Sequence, residues 1–467
     1  MMQLWLIWWE AIYLLHPGFS RARTFMWFAV CVAGLTVRTD KHGVTSIIRA
    51  LGLDGYFYDN LLDAFHSSAI KLDALTQLWV KTVLHLFSNP VTFNGRKVLV
   101  ADGIKVAKQG KKMPAVKSLH QESESNSKAE YIMGHSFQAI SLLCQAGNSV
   151  FAVPLTARIH EGVVFSNRCK KTLLDKMVDL LMSLELEESY YFVADAYYAN
   201  QKIIKGMLEE NHHLVSRVRS NAVAYEVYVE VSEKKVGRPK KYGHKIKLKD
   251  LMKEGTAMTY DKSPVYGDEN VSIQYCVHDL ISRSAGMLVR FVIVKHPTRG
   301  SCILMSTDTS LSALDIIEIY GLRFKIEHAF KQAVHVVGGF SYHFWMKKMK
   351  PLKIGDGNQY IHREDEEYRK AVKRKLHAYH TFVMAGIIAQ GLLHYLSSEH
   401  AVLVWRSFGS WLRTIRKGLA PSEFVVATAL RHSLPEFLLV APKEQKLAKF
   451  IRERLDLDRN DVFRMVS

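Results

Sequence analysis

The chain has 467 residues, with 63 Lys and Arg against 45 Asp and Glu, a formal net charge of +18. Hydrophobic residues make up 48% and charged residues 23%, which excludes intrinsic disorder and a collagen-like repeat, and 11 Pro leave no room for long Pro-rich linkers. The length allows two or three domains at about 150 residues each, and the surplus charge points to a polyanion, nucleic acid or an anionic membrane, with a merely basic soluble protein as the bland alternative.

In chain order, residues 1–90 read as helical. The opening MMQLWLIWWEAIYLL is apolar but interrupted by Glu10, and the run from Thr24 to Val37 spans about 14 residues, short of the ~20 that a membrane-spanning helix needs. Both are expected to be buried helices, with Trp5, Trp8 and Trp9 in a core or interface. No secretory signal is evident, so a cytoplasmic address is expected. GVTSIIRALGLDGYFYDNLLDAFHS predicts two short helices broken near Gly52 to Gly55, either a DNA-reading helix-turn-helix or a plain αα-hairpin. LDALTQLWVKTVLHLF predicts a further helix.

From Arg96 the pattern changes. KVLVAD is a short strand ending in Asp102, and GHSFQAISLLC and SVFAVPL follow as paired strands around Gly147 and Asn148. The helix KTLLDKMVDLLMSLEL leads to YYFVAD, a second apolar strand ending in an acid, Asp195. NQKIIKGMLEEN (helix) and HLVSRVRS (strand) complete a β-α-β alternation, the mark of a mixed α/β domain. AVAYEVYVEV, VSIQYCVHDL, MLVRFVIVKH and GSCILMSTD then alternate like strands, so 219–310 is expected to be mostly β. Within it, the basic turn GRPKKYG carries Arg238, Lys240 and Lys241, as a minor-groove arm or a solvated loop.

Helical spacing returns in LSALDIIEIYGLRFKIEHAFKQAVHVV, with Ser310 or Ser312 as its cap. A polar, basic stretch from Lys347 to Lys375 precedes apolar helices in HAYHTFVMAGIIAQGLLHYL and SFGSWLRTIRKGL, and the charged tail after Pro442 is expected to be peripheral. The expected organisation is therefore a helical DNA-binding region over 1–90, an α/β core over 91–218, a β-rich insertion over 219–310, a core helix over 311–345, and a basic linker with a helical C-terminal region over 346–467.

Cys31, Cys144, Cys169, Cys276 and Cys302 stand singly, without a Cys-x-x-Cys pair. A zinc ribbon and a thioredoxin-like redox site are thereby unsupported, and reduced, intracellular thiols are expected. His135, His160 beside Glu161, and His377-x2-His380 lack a third partner at metal-ligand spacing and read as buried or solvated histidines. No Gly-x-Ser-x-Gly elbow supports serine hydrolysis.

Three acids stand in informative places. Asp102 and Asp195 each end an apolar strand, where side chains emerge at a sheet edge, and Glu327 sits in a helix dense with cations. Carboxylates converging on one point repel unless cations neutralise them, and two hard divalent ions about 3.5–4 Å apart suit in-line phosphodiester chemistry. At helical spacing Arg323, Glu327 and Lys331 share one face with Tyr320 nearly on it. That face is either a metal-binding carboxylate flanked by phosphate-binding cations or a solvent-exposed salt-bridge ladder.

VADGIKV around Asp102, YYFVADAYYAN around Asp195, and Tyr320-x2-Arg323-x3-Glu327 together resemble bacterial insertion-sequence transposases of the Asp-Asp-Glu class, the group with a Tyr-x2-Arg-x3-Glu signature, roughly from Phe19 to His394. The resemblance implies an α+β fold: an RNase H-like mixed-sheet catalytic core with a β-rich insertion, plus helical N- and C-terminal regions. It implies an enzyme that cuts at the ends of its own element and joins them to target DNA. Asp102, Asp195 and Glu327 are then the catalytic, metal-binding residues for two Mg²⁺ ions, with Mn²⁺ as a substitute. Arg323 grips a phosphate of the element end and Tyr320 supports that contact. The implied partners are the terminal inverted repeats and target DNA, bound by a homodimer at the bacterial nucleoid, with no membrane. The family signature closes with Lys seven residues after the Glu; here that position is Val334, and Lys331 is expected to substitute. The departure leaves two other readings, an impaired DNA-binding copy and a Mg²⁺-dependent nuclease without strand transfer.

Overall fold

A computed structural model describes residues 2–121, 129–228, 240–253, 257–268, 270–409 and 419–458. The chain folds as α+β, with a large mixed sheet and helices toward both ends of the sequence. Helices α1 (Gln3–Tyr13), α2 (Ala22–Val37), α3 (Gly43–Leu51), α4 (Tyr58–His66) and α5 (Leu72–Leu86) open it. Strands β1 (Thr92–Phe93), β2 (Arg96–Ala107), β3 (Lys117–His120), β4 (Tyr131–Ala146) and β5 (Ser149–Ile159) follow. The alternation α6 (Leu173–Met182), β6 (Tyr190–Ala194), α7 (Gln201–Glu209) and β7 (His213–Val218) comes next. Then come β8 (Val223–Tyr225), β9 (Lys245–Lys247), β10 (Thr259–Lys262), β11 (Ser272–Ser282), β12 (Met287–His296) and β13 (Gly300–Ser306). The chain closes with α8 (Ala313–Leu322), α9 (Phe324–Gln332), α10 (Glu366–Glu399), α11 (Ala401–Phe408), α12 (Glu423–Val440) and α13 (Lys446–Arg452).

Two compact units emerge: a helical unit of Met1–Pro90, Gly103–Lys170 and Glu327–Ser467, and a sheet unit of Val91–Asp102 and Lys171–Ile326. In the sheet unit, β2 and β6 run parallel, as do β6 and β7, and β13, β12 and β11 then add antiparallel strands to the same sheet. Val98–Ala101 and all of Tyr190–Ala194 are buried. Such continuous apolar runs are what strands covered on both faces require. The β-rich insertion of 219–310 is therefore not a separate layer: its strands prolong the sheet that begins with β2 and β6. α8 starts at Ser312, whose hydroxyl accepts from the Asp315 amide while Asp315 reaches back to the Ser312 amide, a reciprocal cap.

In the helical unit, α3 and α4 form the expected pair, broken at Gly52, whose φ of 64° is left-handed. β4 and β5 form an antiparallel hairpin. Gly134 is not a turn residue: a Cβ there would lie 2.3 Å from the Val106 carbonyl oxygen, so only glycine lets the two strand segments approach. α10 is long and apolar enough to cross a membrane, yet 83% of its most apolar window is buried inside the structure, as in a core helix. It starts earlier than the sequence suggests, at Glu366 behind an Asp365 cap, so the basic Lys370–Lys375 stretch belongs to it. The expected helix in SFGSWLRTIRKGL falls mostly on 410–418, which lie outside the described residues; α11 ends at Phe408, before left-handed Gly409. The tail is not wholly peripheral either, because Leu447, Ala448 and Ile451 of α13 are fully buried. Trp5 and Trp8 lie in the core, with the Trp5 indole donating to the Leu430 carbonyl.

Candidate active site

Two parallel strands index the two aspartates. In the β2–β6 register, Lys97 faces Tyr190 and Val100 faces Val193, a constant offset of 93 positions, which is also the separation of Asp102 and Asp195. The pairing ends at Val100 and Val193, so each aspartate stands two residues beyond the last paired position of its own chain segment. Each is the first polar residue after a fully buried run, but only Asp195 follows a strand end: β2 runs on to Ala107, so Asp102 lies inside its strand and not at its end as the sequence suggests. The C-terminal ends of parallel strands are where open α/β sheets place ligands.

The loop after β6 fixes Asp195. Its Oδ1 accepts from the Tyr197 amide at 3.0 Å, its carbonyl accepts from the Tyr198 amide at 3.1 Å, and the Ser216 hydroxyl donates to the same carbonyl at 2.9 Å. Asn200 then caps α7 by accepting from the Lys202 amide. Asp102 accepts a hydrogen bond from Arg323 Nη1 at 2.9 Å, with both side chains about one-fifth exposed, at 21% and 18%. Tyr320 joins the same neighbourhood. Burial pushes its phenol up, Arg323 and Arg217 pull it back, and Cys302 and Asp195 push it further up.

Arg217 was not singled out in the sequence. The β6–β7 register pairs Ala194 with Ser216, so Arg217 and Asp195 each come one residue after that last pair. Arg217, Arg323 and Asp195 all act on the Tyr320 phenol, which gathers them in one neighbourhood. The sequence signal was present in HLVSRVRS, a strand whose polar break matches the Asp195 position, but only the pairing makes it legible.

The predicted single helix carrying Glu327 is interrupted. α8 gives way to α9 at Arg323, where the Arg323 amide donates to the Tyr320 carbonyl and the Ile326 amide to the Arg323 carbonyl, both bonds spanning three residues. This tightened turn breaks the regular 100° spacing that set Arg323, Glu327 and Lys331 on one face. Glu327 follows in the first turn of α9 and is exposed, as is Lys331. Val334 lies in a π-helical turn, Ala333–Val337, so its angular position cannot be counted at α-helical pitch.

Lys240 and Lys241 are exposed, and Lys241 lies 5.9 Å from the Tyr242 ring centroid. They adjoin β8 and β9, at the end of the strand order opposite β2, and are not gathered with the aspartates. Arg238 lies outside the described residues. His135 is buried with both ring nitrogens engaged, by Tyr342 Oη at 2.6 Å and the Pro114 carbonyl at 2.8 Å. His380 accepts from the Ile159 amide and His377 meets the Ser67 carbonyl, so these histidines serve packing.

Among the described residues no three His, Cys, Asp or Glu side chains cluster so as to hold a metal ion. What the sheet unit offers is a pair of oxygen donors, Asp102 and Asp195, one of which already holds a cationic group in Arg323. Hard oxygen donors arranged around positive charge fit a divalent cation such as Mg²⁺.

The profile of a family described as DDE superfamily endonuclease matches residues 14–264, more than half of the chain, and that stretch contains Asp102, Asp195 and Arg217. No curated protein sequence matches. Among solved structures, a cryo-EM structure of a piggyBac transposase synaptic complex with hairpin DNA is similar at 12% identity, covering 93% of this chain and 76% of that chain, with a TM-score of 0.39. With the matched stretch spanning both aspartates, the chain belongs to the DDE superfamily endonucleases.

Proposed function

We propose that this endonuclease is the transposase of an insertion sequence, cutting DNA at the ends of its element and joining those ends to a target. The observation that carries the reading is that Asp102 and Asp195 each stand two residues beyond the last pair of one β2–β6 register. Family membership supports it, and so does the Tyr320 and Arg323 neighbourhood around the two acids. Asp102 and Asp195, with Glu327 as the resemblance implies, would hold the divalent ions, Mg²⁺ or Mn²⁺. When bound, these ions activate the attacking oxygen and stabilise the leaving one.

The chain's own residues do the rest. Arg323 and Arg217 bind the non-bridging oxygens of the scissile phosphate as charge-assisted donors. Tyr320 orients Arg323 and borders the phosphate. In the first step water attacks phosphorus, a P–O bond breaks and a 3′-hydroxyl is released. In the second, that hydroxyl attacks phosphorus in target DNA and a target 3′-oxygen leaves. The DNA partners are the terminal inverted repeats and the target, held by a homodimer on DNA in the bacterial cytoplasm.

The test is incubation of the purified chain with Mg²⁺, labelled DNA carrying the inverted repeats that flank its gene, and a supercoiled target plasmid. Cleavage at the repeat boundary followed by joined product is expected. Cleavage without joining would replace the reading by a nuclease, and binding without cleavage by an impaired DNA-binding copy.

A further inference from the structure

The helical unit contains an open cavity of about 950 Å³ between the loop entering α5 and the N-terminal third of α10. Its rim carries Arg21, Lys71, Lys373 and Arg374, and its floor carries His66 and His377. All of these belong to the helical unit, whereas Asp102, Asp195, Arg217 and Arg323 belong to the sheet unit.

The charge here is one-sided. Asp73 is the only carboxylate lining the cavity, and it faces Arg158 at 3.9 Å. Arg158 is partly buried and donates to Thr76 Oγ1 at 2.7 Å. None of Arg21, Lys71, Lys373 and Arg374 has a carboxylate partner among the described residues. Behind them, the Lys375 ammonium meets His66 Nε2 at 2.9 Å. Burial pulls the Lys375 ammonium down, and Arg374 pulls it further. Burial likewise holds the His66 and His377 rings toward the neutral form, so the floor adds no positive charge.

Four cations without a carboxylate partner among the described residues line one concavity, where their like charges raise the local positive potential. Such an arrangement is compensated when a polyanion occupies it. The Ser67 and Ser68 hydroxyls beside the cations complete a donor set suited to phosphate oxygens.

We propose that this cavity is a second DNA-binding site, taking a run of phosphodiester backbone outside the catalytic residues. The proposal rests on the DNA-acting reading above and adds a location to it. The opening is wide, so it is accessible to the phosphates of a single strand and to those along the edge of a duplex. The four cations offer charge-assisted donors to the phosphate oxygens of one run of backbone.

The test measures binding of the full chain to a labelled duplex and to a single strand of arbitrary sequence, by anisotropy, across a salt series. In R21Q/K71Q/K373Q/R374Q the log–log salt slope is expected to fall by about 3, at ~0.7–0.9 for each phosphate that the chain no longer neutralises. At moderate salt the affinity is expected to fall at least tenfold. Unchanged circular dichroism and thermal midpoint establish that the variant is folded. The comparison variant K443Q/K446Q/K449Q removes charge from the C-terminal region and is expected to leave the slope within about 1 of wild type. An equal loss of slope per charge in both variants, or an unchanged slope in the first, would overturn the proposal. So would loss of binding to phosphatidylserine vesicles with DNA binding intact, which would assign the cavity to a membrane. If the wild-type chain binds no DNA at any salt, the transposase reading fails instead.

Discussion

The guanidinium of Arg323 donates to the carboxylate of Asp102 at 2.9 Å, although 221 residues separate them in sequence. The pair ties the junction of α8 and α9 to the middle of β2, and so places the arginine of the Tyr-x2-Arg-x3-Glu pattern on Asp102, the first of the three acids proposed for the site. Both side chains are only about one-fifth exposed, so the pair is screened less by solvent and salt than a surface ion pair.

Asp102→Asn and Asp195→Asn are each expected to lower Mg²⁺-dependent cleavage at least a thousandfold while leaving DNA affinity within about threefold, since phosphate contacts come mainly from Lys and Arg. Single-turnover cleavage beside an anisotropy titration checks both. Arg323→Lys keeps the charge but loses the planar fork, and cleavage is expected to fall about a hundredfold. A variant that cuts at the wild-type rate would remove its residue from the site.

Arg217→Ala is expected to reduce cleavage about tenfold to a hundredfold, and to raise the Tyr320 phenol further by removing one of the two cations that oppose its burial. Absorbance titration comparing Arg217→Ala with Arg217→Ala/Tyr320→Phe reads the tyrosine, and unchanged spectra would separate Arg217 from the phenol.

Arg38 is 3% exposed and donates to the carbonyls of Val337, Gly338 and Gly43 and to the Ser341 hydroxyl. Arg38→Leu leaves several buried acceptors without donors and is expected to destabilise the chain by about 3–5 kcal/mol. Chemical denaturation gives the value; a loss under 1 kcal/mol would show that water replaces the guanidinium.

Lys108 is buried over the Tyr342 ring at 3.6 Å, and burial lowers its pKa from 10.5 to about 7. Between pH 7 and 10.5 the unfolded chain therefore binds the proton that the folded chain has released, so folding stability rises with pH across that window. Lys108→Met removes this linkage. Wild type is expected to gain on the variant as pH climbs from 7 to 10.5, whatever constant offset the missing hydrogen bonds to carbonyls impose. Parallel stability curves over that range would show that Lys108 keeps an ordinary pKa.

Strand positions and caps were legible where local chemistry decides them. KVLVAD and YYFVAD announce strands buried on both faces, MLVRFVIVKH is β12 residue for residue, and Ser312 is the cap that its Asp at the third position signals. Pairing was not legible, and Arg217 went unseen because its place depends on which strand lies beside β6. The break at Arg323 and the π turn at Ala333–Val337 were equally hidden. Nothing in FKIEHAFKQAVHVV forbids a regular helix; the Val337 carbonyl is instead claimed by Arg38, 299 residues away. The basic stretch before α10 was read as linker because its lysines mask a helix whose apolar face begins only at Val372.

The shared offset of 93 makes the position of the acids a matter of counting from the start of each strand. Residues added at the Gly147–Asn148 turn, or anywhere else between Gly103 and Ser189 that leaves β2 and β6 paired, move neither carboxylate. Deleting one residue between Val98 and Ala101 turns Asp102 to the opposite side of the sheet. Descendants of this sequence are thus free to grow and shrink in their connecting segments while the few positions inside two short strands tolerate no change in length.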